Sequence, residues 1–363
     1  MVSEQYKAML SGKSVIRTLS EFAAKRGEEI GYENVFDYSL GNPSVPVPQE
    51  FTDCMIEMLQ NDNPMELHGY SPSLGIPSVR AKIAQSLNER FGMNYGPEHI
   101  FMASGAAGAL AHAYRAVTQP GDEILTFAPY FPEYNPYVNL TGAVLKIVPA
   151  DTDSFQINFE AFEEMLNEKV MAVLINSPNN PSGVVYSEET IEHLAGILRE
   201  KEKEYGHDIF IISDEPYREI AFAGVKVPYV SGYYDNTISC YSYSKSLSLP
   251  GERIGYLVIP DEVTDSEDIK SAANVATRIL GFVNAPTLQQ KLVAKCINEK
   301  TDLSFYNRNR EALYDGLREC GFECIKPEGA FYLFVKSPVE DEKQFCADAK
   351  ELHILMVPGS SFA

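Results

Sequence analysis

The sequence predicts an α/β protein whose large domain is a mostly parallel β-sheet covered by helices on both faces. From about residue 98, short apolar runs alternate with amphipathic helical patterns, and this alternation is typical of parallel sheets with helical crossovers. The chain has 363 residues, of which 45% are hydrophobic and 22% are charged. That length and composition suffice for one large core and a second, smaller domain.

Seven apolar runs in this part of the chain have the character of strands. They lie at 98–104, 122–129, 142–150, 170–178, 208–217, 236–244 and 253–260. Helical patterns lie between some of them, at 108–119, 159–168 and 189–206. Because ligands of parallel sheets bind at the carboxyl ends of the strands, we expect functional residues directly after these runs.

The two ends of the chain have a different pattern. Residues 1–45 carry one helical pattern followed by an extended segment. From about residue 285 come helical patterns at 287–300 and 307–321, then a strand pattern at 330–337. We therefore predict a large domain over 46–285, and a small α+β domain formed by 1–45 together with 286–363.

Charge and cysteine content exclude several classes of protein. The formal net charge is -21, which disfavours nucleic acid and anionic membrane surfaces as partners. The six cysteines show no metal-ligand spacing, so no metal site is predicted, and they indicate reduced thiols. No apolar run reaches the roughly 20 residues that span a bilayer, and the N-terminus lacks a signal-peptide core. We expect a cytoplasmic protein.

The segment S-Y-S-K-S-L-S-L-P-G-E-R-I-G-Y at 242–256 carries the strongest chemical signal. Lys245 follows an apolar strand pattern, and desolvation there would lower its pKa and make its amine nucleophilic. Eight residues later, Arg253 is suited to a bidentate hold on phosphate. A lone lysine would be read as a surface residue, but this spacing and context favour a reactive one.

Two further segments place polar groups after strand patterns. Asp214, in I-S-D-E-P-Y, could pair with a protonated ring nitrogen, and Tyr217 could donate to a ring oxygen. The alternative for Asp214 is a helix cap. Asn180, in N-S-P-N-N-P-S-G, could bond a ring hydroxyl, although an ordinary Asn-Pro turn is the better explanation of this segment taken alone.

A loop of small residues at 103–110 joins a strand pattern to a helix pattern. The backbone N–H groups of Gly105, Ala106 and Ala107 would face outward at the helix start, where the dipole favours an anion. The loop matches neither G-x-G-x-x-G nor a P-loop, which excludes a nicotinamide dehydrogenase. Phe131, after the next strand pattern, could stack on a planar ring or simply pack in the core.

In this order and at these spacings, the five segments resemble those of the class I and II aminotransferases, which are fold type I pyridoxal-phosphate-dependent enzymes. The resemblance extends from D-Y-S-L-G-N-P-S-V-P at 37–46 to V-P-G-S-S-F at 357–362. It implies a seven-stranded-type sheet and pyridoxal 5′-phosphate bound as a Schiff base. It also implies transfer of an amino group between an L-amino acid and a 2-oxo acid by a ping-pong mechanism.

The resemblance also implies a role for each candidate residue. Lys245 would form the Schiff base and carry the proton between the substrate Cα and the cofactor, and Asp214 would pair with the pyridinium nitrogen. The other cofactor contacts it implies are the ring-oxygen donors Tyr217 and Asn180, the ring-stacking Phe131, and a phosphate cup of Gly105, Ala106, Ala107, Ser242 and Arg253. Gly41 and Asn180 would lie beside the substrate.

Tyr70 matches a tyrosine that, in relatives, reaches the phosphate of the neighbouring subunit. The resemblance therefore implies a homodimer with shared active sites.

The sequence departs from the resembled family in two places. Relatives carry an arginine for the substrate carboxylate beyond the segment at 358–362, whereas the sequence ends at Ala363. We therefore expect the functional chain to continue past this point. Some aspartate-using relatives carry a lysine in the phosphate loop where Ala107 stands, which weakens the prediction of a dicarboxylate substrate.

Other activities of the same fold stay open at this stage. A carbon–sulfur β-lyase would use the same cofactor, and a degenerate regulator would bind the cofactor without catalysing a reaction. A decarboxylase is disfavoured because Ser244, and not histidine, precedes Lys245. The side chain of the amino acid substrate is not predicted.

Overall fold

The structure, a computed structural model, describes Val2, Tyr6, Lys7 and residues 15–363. The other residues among the first fourteen, part of the predicted small domain, lie outside the described residues. The helices are α1 (Val15–Ile30), α2 (Gln49–Asn61), α3 (Pro64–His68), α4 (Pro77–Phe91), α5 (Gly105–Val117), α6 (Tyr134–Asn139), α7 (Phe159–Met165), α8 (Glu188–Tyr205), α9 (Tyr243–Ser246), α10 (Ser266–Ile279), α11 (Thr287–Lys295), α12 (Leu303–Glu319) and α13 (Glu342–Glu351). The strands are β1 (Phe36–Asp37), β2 (Ile100–Ala103), β3 (Glu123–Phe127), β4 (Val144–Val148), β5 (Val170–Asn176), β6 (Phe210–Asp214), β7 (Thr237–Ser242), β8 (Gly255–Val258) and β9 (Ile354–Leu355).

Within the described chain, seven strands form one sheet in the order β2-β8-β7-β6-β5-β3-β4. Only β8 runs antiparallel to its neighbours, and the remaining pairs are parallel. Every residue of β2, β6, β7 and β8 is buried, as expected for a sheet with helices on both faces. The predicted fold class is confirmed, and all seven predicted strand patterns are strands of this sheet.

The two ends of the described chain meet in a small parallel pairing. Phe36 pairs with Ile354 and Asp37 pairs with Leu355, joining β1 to β9. Nearby, Arg26 Nε donates to His353 Nε2 at 3.1 Å. This pairing brings the flanks together, while the predicted domain boundaries at 45/46 and 285/286 stay a prediction.

The strand predicted at 330–337 is wrong as a regular strand. In this segment Val335 forms one isolated antiparallel bridge with Cys324. Ala330 has φ 55°, a left-handed conformation that interrupts an extended run. The aromatic residues that follow Ala330 pack against one another and against Tyr217, which gives this segment a role in a site and not in a sheet.

None of the helices formed by the described residues has the length and apolar character needed to cross a membrane.

Candidate active site

The carboxyl ends of three adjacent strands bring polar residues to one edge of the sheet. In the register, Asn176 at the end of β5 pairs with Asp214 at the end of β6, and Asp214 pairs with Cys240 of β7. Ser242, the last residue of β7, pairs with Gly255. This is the edge at which parallel sheets bind ligands.

Lys245 lies on α9, a single turn that begins directly after β7. Ser242 caps this turn, since its Oγ accepts from the backbone N–H of Ser244 at 3.2 Å. Lys245 Nζ donates to the carbonyl oxygen of Gly41 at 2.6 Å and lies 5.5 Å from the ring centroid of Phe331. Burial, with the nearby Arg253 charge, lowers the pKa of Lys245 to about 8. Its amine is therefore more nucleophilic near neutral pH than that of an ordinary lysine.

Asp214 is 5% exposed, and its two carboxylate oxygens differ. Oδ2 accepts a hydrogen bond from Tyr134 Oη at 2.5 Å, whereas Oδ1 is buried and has no partner among the described residues. Asn176 Nδ2 donates to the backbone carbonyl of Asp214 at 2.9 Å and so fixes the end of β6. Burial raises the pKa of Asp214 to about 7, against a lowering effect of the Tyr134 hydrogen bond.

Tyr217 follows the end of β6 by three residues and contacts Tyr332. Its hydroxyl lies 2.5 Å from that of Tyr332, and burial raises the pKa of Tyr217 well above its usual value. A Cβ atom on Gly41 would lie 2.0 Å from Tyr332 Oη. Close packing of Tyr332 therefore requires glycine at position 41.

The N-terminus of α5 and the side chain of Arg253 form a cradle suited to an anion. Gly105 begins α5 with φ +74°, and a Cβ there would lie 2.6 Å from Arg253 Nη2. Arg253 is exposed and donates to the carbonyl oxygen of Pro250 at 2.8 Å. It also approaches Ser244 Oγ at 3.4 Å. The guanidinium and the helix dipole both favour a negative charge at this place.

The other predicted residues lie around these groups with varied contacts. Ala106 and Ala107 are half-buried in the first turn of α5. The backbone N–H of Asn180 donates to Asn176 Oδ1 at 2.7 Å. Phe131 is half-buried, and its ring meets that of Tyr134 edge-on at 5.5 Å. Tyr70 is 90% exposed, so on this chain its side chain faces solvent and does not pack into the site.

Sequence reasoning missed several residues that contact the predicted ones. They are Tyr134, Asn176, Ser244, Phe331 and Tyr332. A signal for Asn176 was available, because it is a polar residue that ends an apolar strand. No local pattern distinguished Tyr134 or Tyr332, whose roles depend on contacts with residues 80 and 115 positions away.

These residues fit pyridoxal phosphate. Lys245 offers a partly buried amine with a lowered pKa. The unpartnered Oδ1 of Asp214 is a buried acceptor suited to a protonated ring nitrogen. The space that a Cβ on Gly105 would fill lies against Arg253, at the helix end suited to a phosphate. Among the described residues, no group of acidic, histidine or cysteine side chains could hold a metal ion.

Comparisons with known proteins identify the family of the chain. Residues 33–363 match the family described as aminotransferase class I and II. The aspartate aminotransferase of Thermotoga maritima is 30% identical over 334 residues, covering 91% of this chain and 84% of the relative. The probable aspartate/prephenate aminotransferase of Aquifex aeolicus is 31% identical over 345 residues, with coverage of 91% and 84%.

A solved amino transferase structure from Eubacterium rectale superposes with a TM-score of 0.97 at 50% identity, covering 100% of this chain and 91% of that one. The aspartate aminotransferase structure from Thermotoga maritima gives a TM-score of 0.87 at 29% identity, covering 99% of this chain and 92% of that one. Members of the matched family depend on pyridoxal phosphate, and the relatives' names favour neither the lyase nor the regulator. The chain therefore belongs to the class I and II aminotransferases and is a pyridoxal-phosphate-dependent transaminase.

Proposed function

We propose that Lys245 holds the cofactor aldehyde and is the base that moves the substrate proton during amino transfer. The strongest support is that one site contains both the half-buried Lys245 amine, whose pKa is lowered, and the buried Asp214 carboxylate, one oxygen of which has no partner among the described residues. When bound, the cofactor supplies an electron sink for the Cα–H bond that breaks. The freed Lys245 amine takes the Cα proton and returns it to the cofactor carbon.

The surrounding residues bind and orient the cofactor in this proposal. Asp214 Oδ1 pairs with the ring nitrogen, and Tyr217 and Asn180 donate to the ring oxygen. Phe131 stacks on the ring. The N–H groups of the first turn of α5 (Gly105, Ala106 and Ala107), the Ser242 hydroxyl and the Arg253 guanidinium hold the phosphate.

Gly41 lies where a closing segment would meet the substrate in this proposal. Its carbonyl already contacts the Lys245 amine, and it has no side chain that would displace Tyr332. Asn180 is the second residue that we assign to the substrate as well as to the cofactor. Residues of the N-terminal segment would then exclude water once an amino acid is bound.

The amino donor is an L-amino acid, and the acceptor is a 2-oxo acid. Relatives are named for aspartate, for aspartate and prephenate, and for aromatic amino acids. Acidic and aromatic amino acids are therefore the first donors to test. Ala107 offers no cation for a distal carboxylate, so we expect broad use of both donor classes and not aspartate alone.

We further propose a homodimer with shared active sites. Tyr70 is 90% exposed on one chain, so its side chain is accessible to a partner subunit. In the dimer, its hydroxyl would reach the phosphate in the partner subunit. Light scattering of the native chain and of Tyr70→Phe measures the mass of the particle in solution. It tests whether the chain forms a dimer separately from whether the Tyr70 hydroxyl contacts the phosphate in the partner subunit.

A cytoplasmic location is also part of the proposal. All six cysteines are free thiols, and three of them are buried. Thiols in this number, without a disulfide among them, are typical of a reducing compartment.

Absorbance spectroscopy of the purified protein with added pyridoxal phosphate tests the activity. We expect an imine band that is replaced by the band of the aminated cofactor on adding L-aspartate or L-phenylalanine, and restored by a 2-oxo acid. A protein that never acquires the imine band would overturn the assignment of Lys245. Release of thiol and oxo acid from cystathionine without any amino acceptor would instead favour a lyase.

A further inference from the structure

Tyr134 is a buried residue of the candidate site that has no role in the proposed reaction. It is the first residue of α6 and is 1% exposed. Its hydroxyl donates to Asp214 Oδ2 at 2.5 Å, and this bond joins two side chains that are 80 residues apart in sequence. A buried tyrosine hydroxyl normally finds one partner, and here that partner is the proposed cofactor-binding carboxylate.

The surroundings of Asp214 make the hydrogen bond from Tyr134 important for stabilising the carboxylate charge. Among the described residues, none of the titratable groups that face the carboxylate is a cation. These groups lie on four elements or directly after them: Glu215 and Tyr217 after β6, Cys240 on β7, Tyr114 on α5, and Tyr134 and Tyr137 on α6. Glu215 is itself ion-paired with Arg218, since Glu215 Oε2 lies 2.6 Å from Arg218 Nη1. A buried carboxylate without a cationic neighbour stays ionised only if hydrogen bonds stabilise its charge.

The two carboxylate oxygens of Asp214 have different surroundings. Oδ2 is engaged by Tyr134, and Oδ1 is left without a partner. We propose that Tyr134 is a positioning residue that keeps Asp214 ionised and fixes its orientation, so that Oδ1 is left for the ring nitrogen of the cofactor. This inference rests on the proposed pairing of Asp214 with that nitrogen.

The direction of the effect follows from the sign of each contribution. Burial raises the pKa of Asp214, and the hydrogen bond from Tyr134 lowers it. Loss of the hydroxyl removes the lowering contribution. Asp214 would then hold its proton to a higher pH, and a neutral carboxyl is a weaker partner for a pyridinium ring.

Tyr114 provides a matched control for this test. It is also fully buried and faces Asp214 from α5, but its hydroxyl has no hydrogen-bond partner among the described residues. Tyr134→Phe and Tyr114→Phe therefore remove the same atom from the same neighbourhood. Only the first removes a hydrogen bond to the carboxylate.

The experiment compares these two variants with the native chain in cofactor affinity and in carboxyl titration. We expect Tyr134→Phe to weaken pyridoxal phosphate binding about tenfold, the size typical of one hydrogen bond to a charged group. We also expect it to move the carboxyl titration of the cofactor-free protein to higher pH, measured by infrared spectroscopy as the difference from Asp214→Asn. Tyr114→Phe should change neither quantity. Equal effects of the two variants, or no effect of Tyr134→Phe, would overturn the inference.

Asp214→Asn separates a failure of this inference from a failure of the proposed function. If Asp214→Asn leaves cofactor affinity and turnover intact, the proposed pairing itself is wrong. If it reduces both while Tyr134→Phe changes nothing, the pairing stands and the role of Tyr134 falls. When both act, Tyr134→Phe should add nothing in the Asp214→Asn background, because its effect passes through the carboxylate charge.

A second substitution covers the case in which Tyr134→Phe does not fold. 3-Fluorotyrosine at position 134 keeps the ring and the hydroxyl and makes the hydroxyl a stronger donor. We expect the carboxyl titration to move to lower pH, opposite to the effect of Tyr134→Phe. A shift to higher pH, or none, would contradict the proposed hydrogen bond.

Discussion

The active site has two sides that are built differently. The sheet side comprises Asp214, Tyr134, Asn176 and Lys245, which sit on or directly after strand ends and helix starts of the buried sheet. The segment side comprises Gly41 and Tyr332, which belong to the irregular segments from the two ends of the chain. Residues that set charge and reactivity lie on the sheet side, where packing fixes them, and the segment side only approaches them.

Polar contacts join the two sides, and Tyr217, which follows β6, belongs to the sheet side. Lys245 Nζ bonds the carbonyl of Gly41 at 2.6 Å, and the hydroxyls of Tyr217 and Tyr332 lie 2.5 Å apart. Near Gly41 the chain leaves Tyr38 and Leu40 57% and 55% exposed. A segment with exposed apolar residues opens at lower cost than strand ends buried in a core. This difference suits a site that must admit a substrate and still hold its cofactor rigidly.

The largest effect should come from the sheet side. Lys245→Ala removes the amine that we propose forms the imine, so the imine absorbance and the transaminase turnover should both be lost. Lys226→Ala, at a lysine whose side chain is 73% exposed, is the control and should keep both. A Lys245→Ala protein with native absorbance and turnover would place the chemistry elsewhere.

The pH dependence of cofactor incorporation also reports on the sheet side. Lys245 has a pKa lowered to about 8, and only the neutral amine forms an imine. The rate of imine formation should therefore rise with pH and level off above about pH 8, falling about tenfold for each unit below. Stopped-flow absorbance measures this. A midpoint near about 10.4 would mean that Lys245 behaves as a solvated lysine.

Gly41→Ala tests the segment side. The added methyl group would lie 2.0 Å from Tyr332 Oη, so either Tyr332 leaves Tyr217 or the segment leaves Lys245. We expect a turnover about tenfold lower with the cofactor still bound, because the sheet side is untouched. Gly316→Ala, on α12 where a Cβ meets nothing within 4 Å, should keep full activity. Loss of cofactor binding in Gly41→Ala would show that the two sides are not independent.

Tyr332→Phe should have the smallest effect. It removes the hydroxyl partner of Tyr217 but keeps the ring that packs at 5.5 Å from that of Tyr217. We expect turnover to fall by about threefold to tenfold, the size of one neutral hydrogen bond. Steady-state kinetics measures this, with the exposed Tyr32 replaced by phenylalanine as the control. The effect should vanish in a Tyr217→Phe background.

Among the sheet-side residues, Asp214 and Lys245 are predicted from the sequence, whereas Tyr134 and Asn176 are not. Asp214 ends a short apolar strand pattern and Lys245 closely follows another, and a polar residue at the end of a buried strand is a local signal that needs no knowledge of the fold. The same holds for Gly105 and its neighbours, because a small-residue loop before a helix indicates an anion site by itself. The resemblance of the five ordered segments to one family then supplied the cofactor.

On the segment side, Gly41 is predicted only through the family resemblance, and Tyr332 is not predicted at all. The run at 330–337 has the composition of a strand, which predicts that its aromatic residues lie in a sheet. In the structure, Ala330 with φ 55° turns the chain, and Phe331 and Tyr332 pack beside Lys245 and Tyr217. Composition cannot distinguish the two outcomes, because both satisfy apolar side chains.

The sequence by itself determined the fold class, the family and the residues at the strand ends, since periodicity and motif order are local properties of the chain. Only the tertiary structure decided which partner each site residue meets. Tyr134 reaches Asp214 across 80 residues and Tyr332 reaches Tyr217 across 115. Such contacts depend on how helices and segments pack on the sheet. The physical reason is that hydrogen bonding and burial depend on the distance between atoms in space, which the separation of residues in the sequence does not specify.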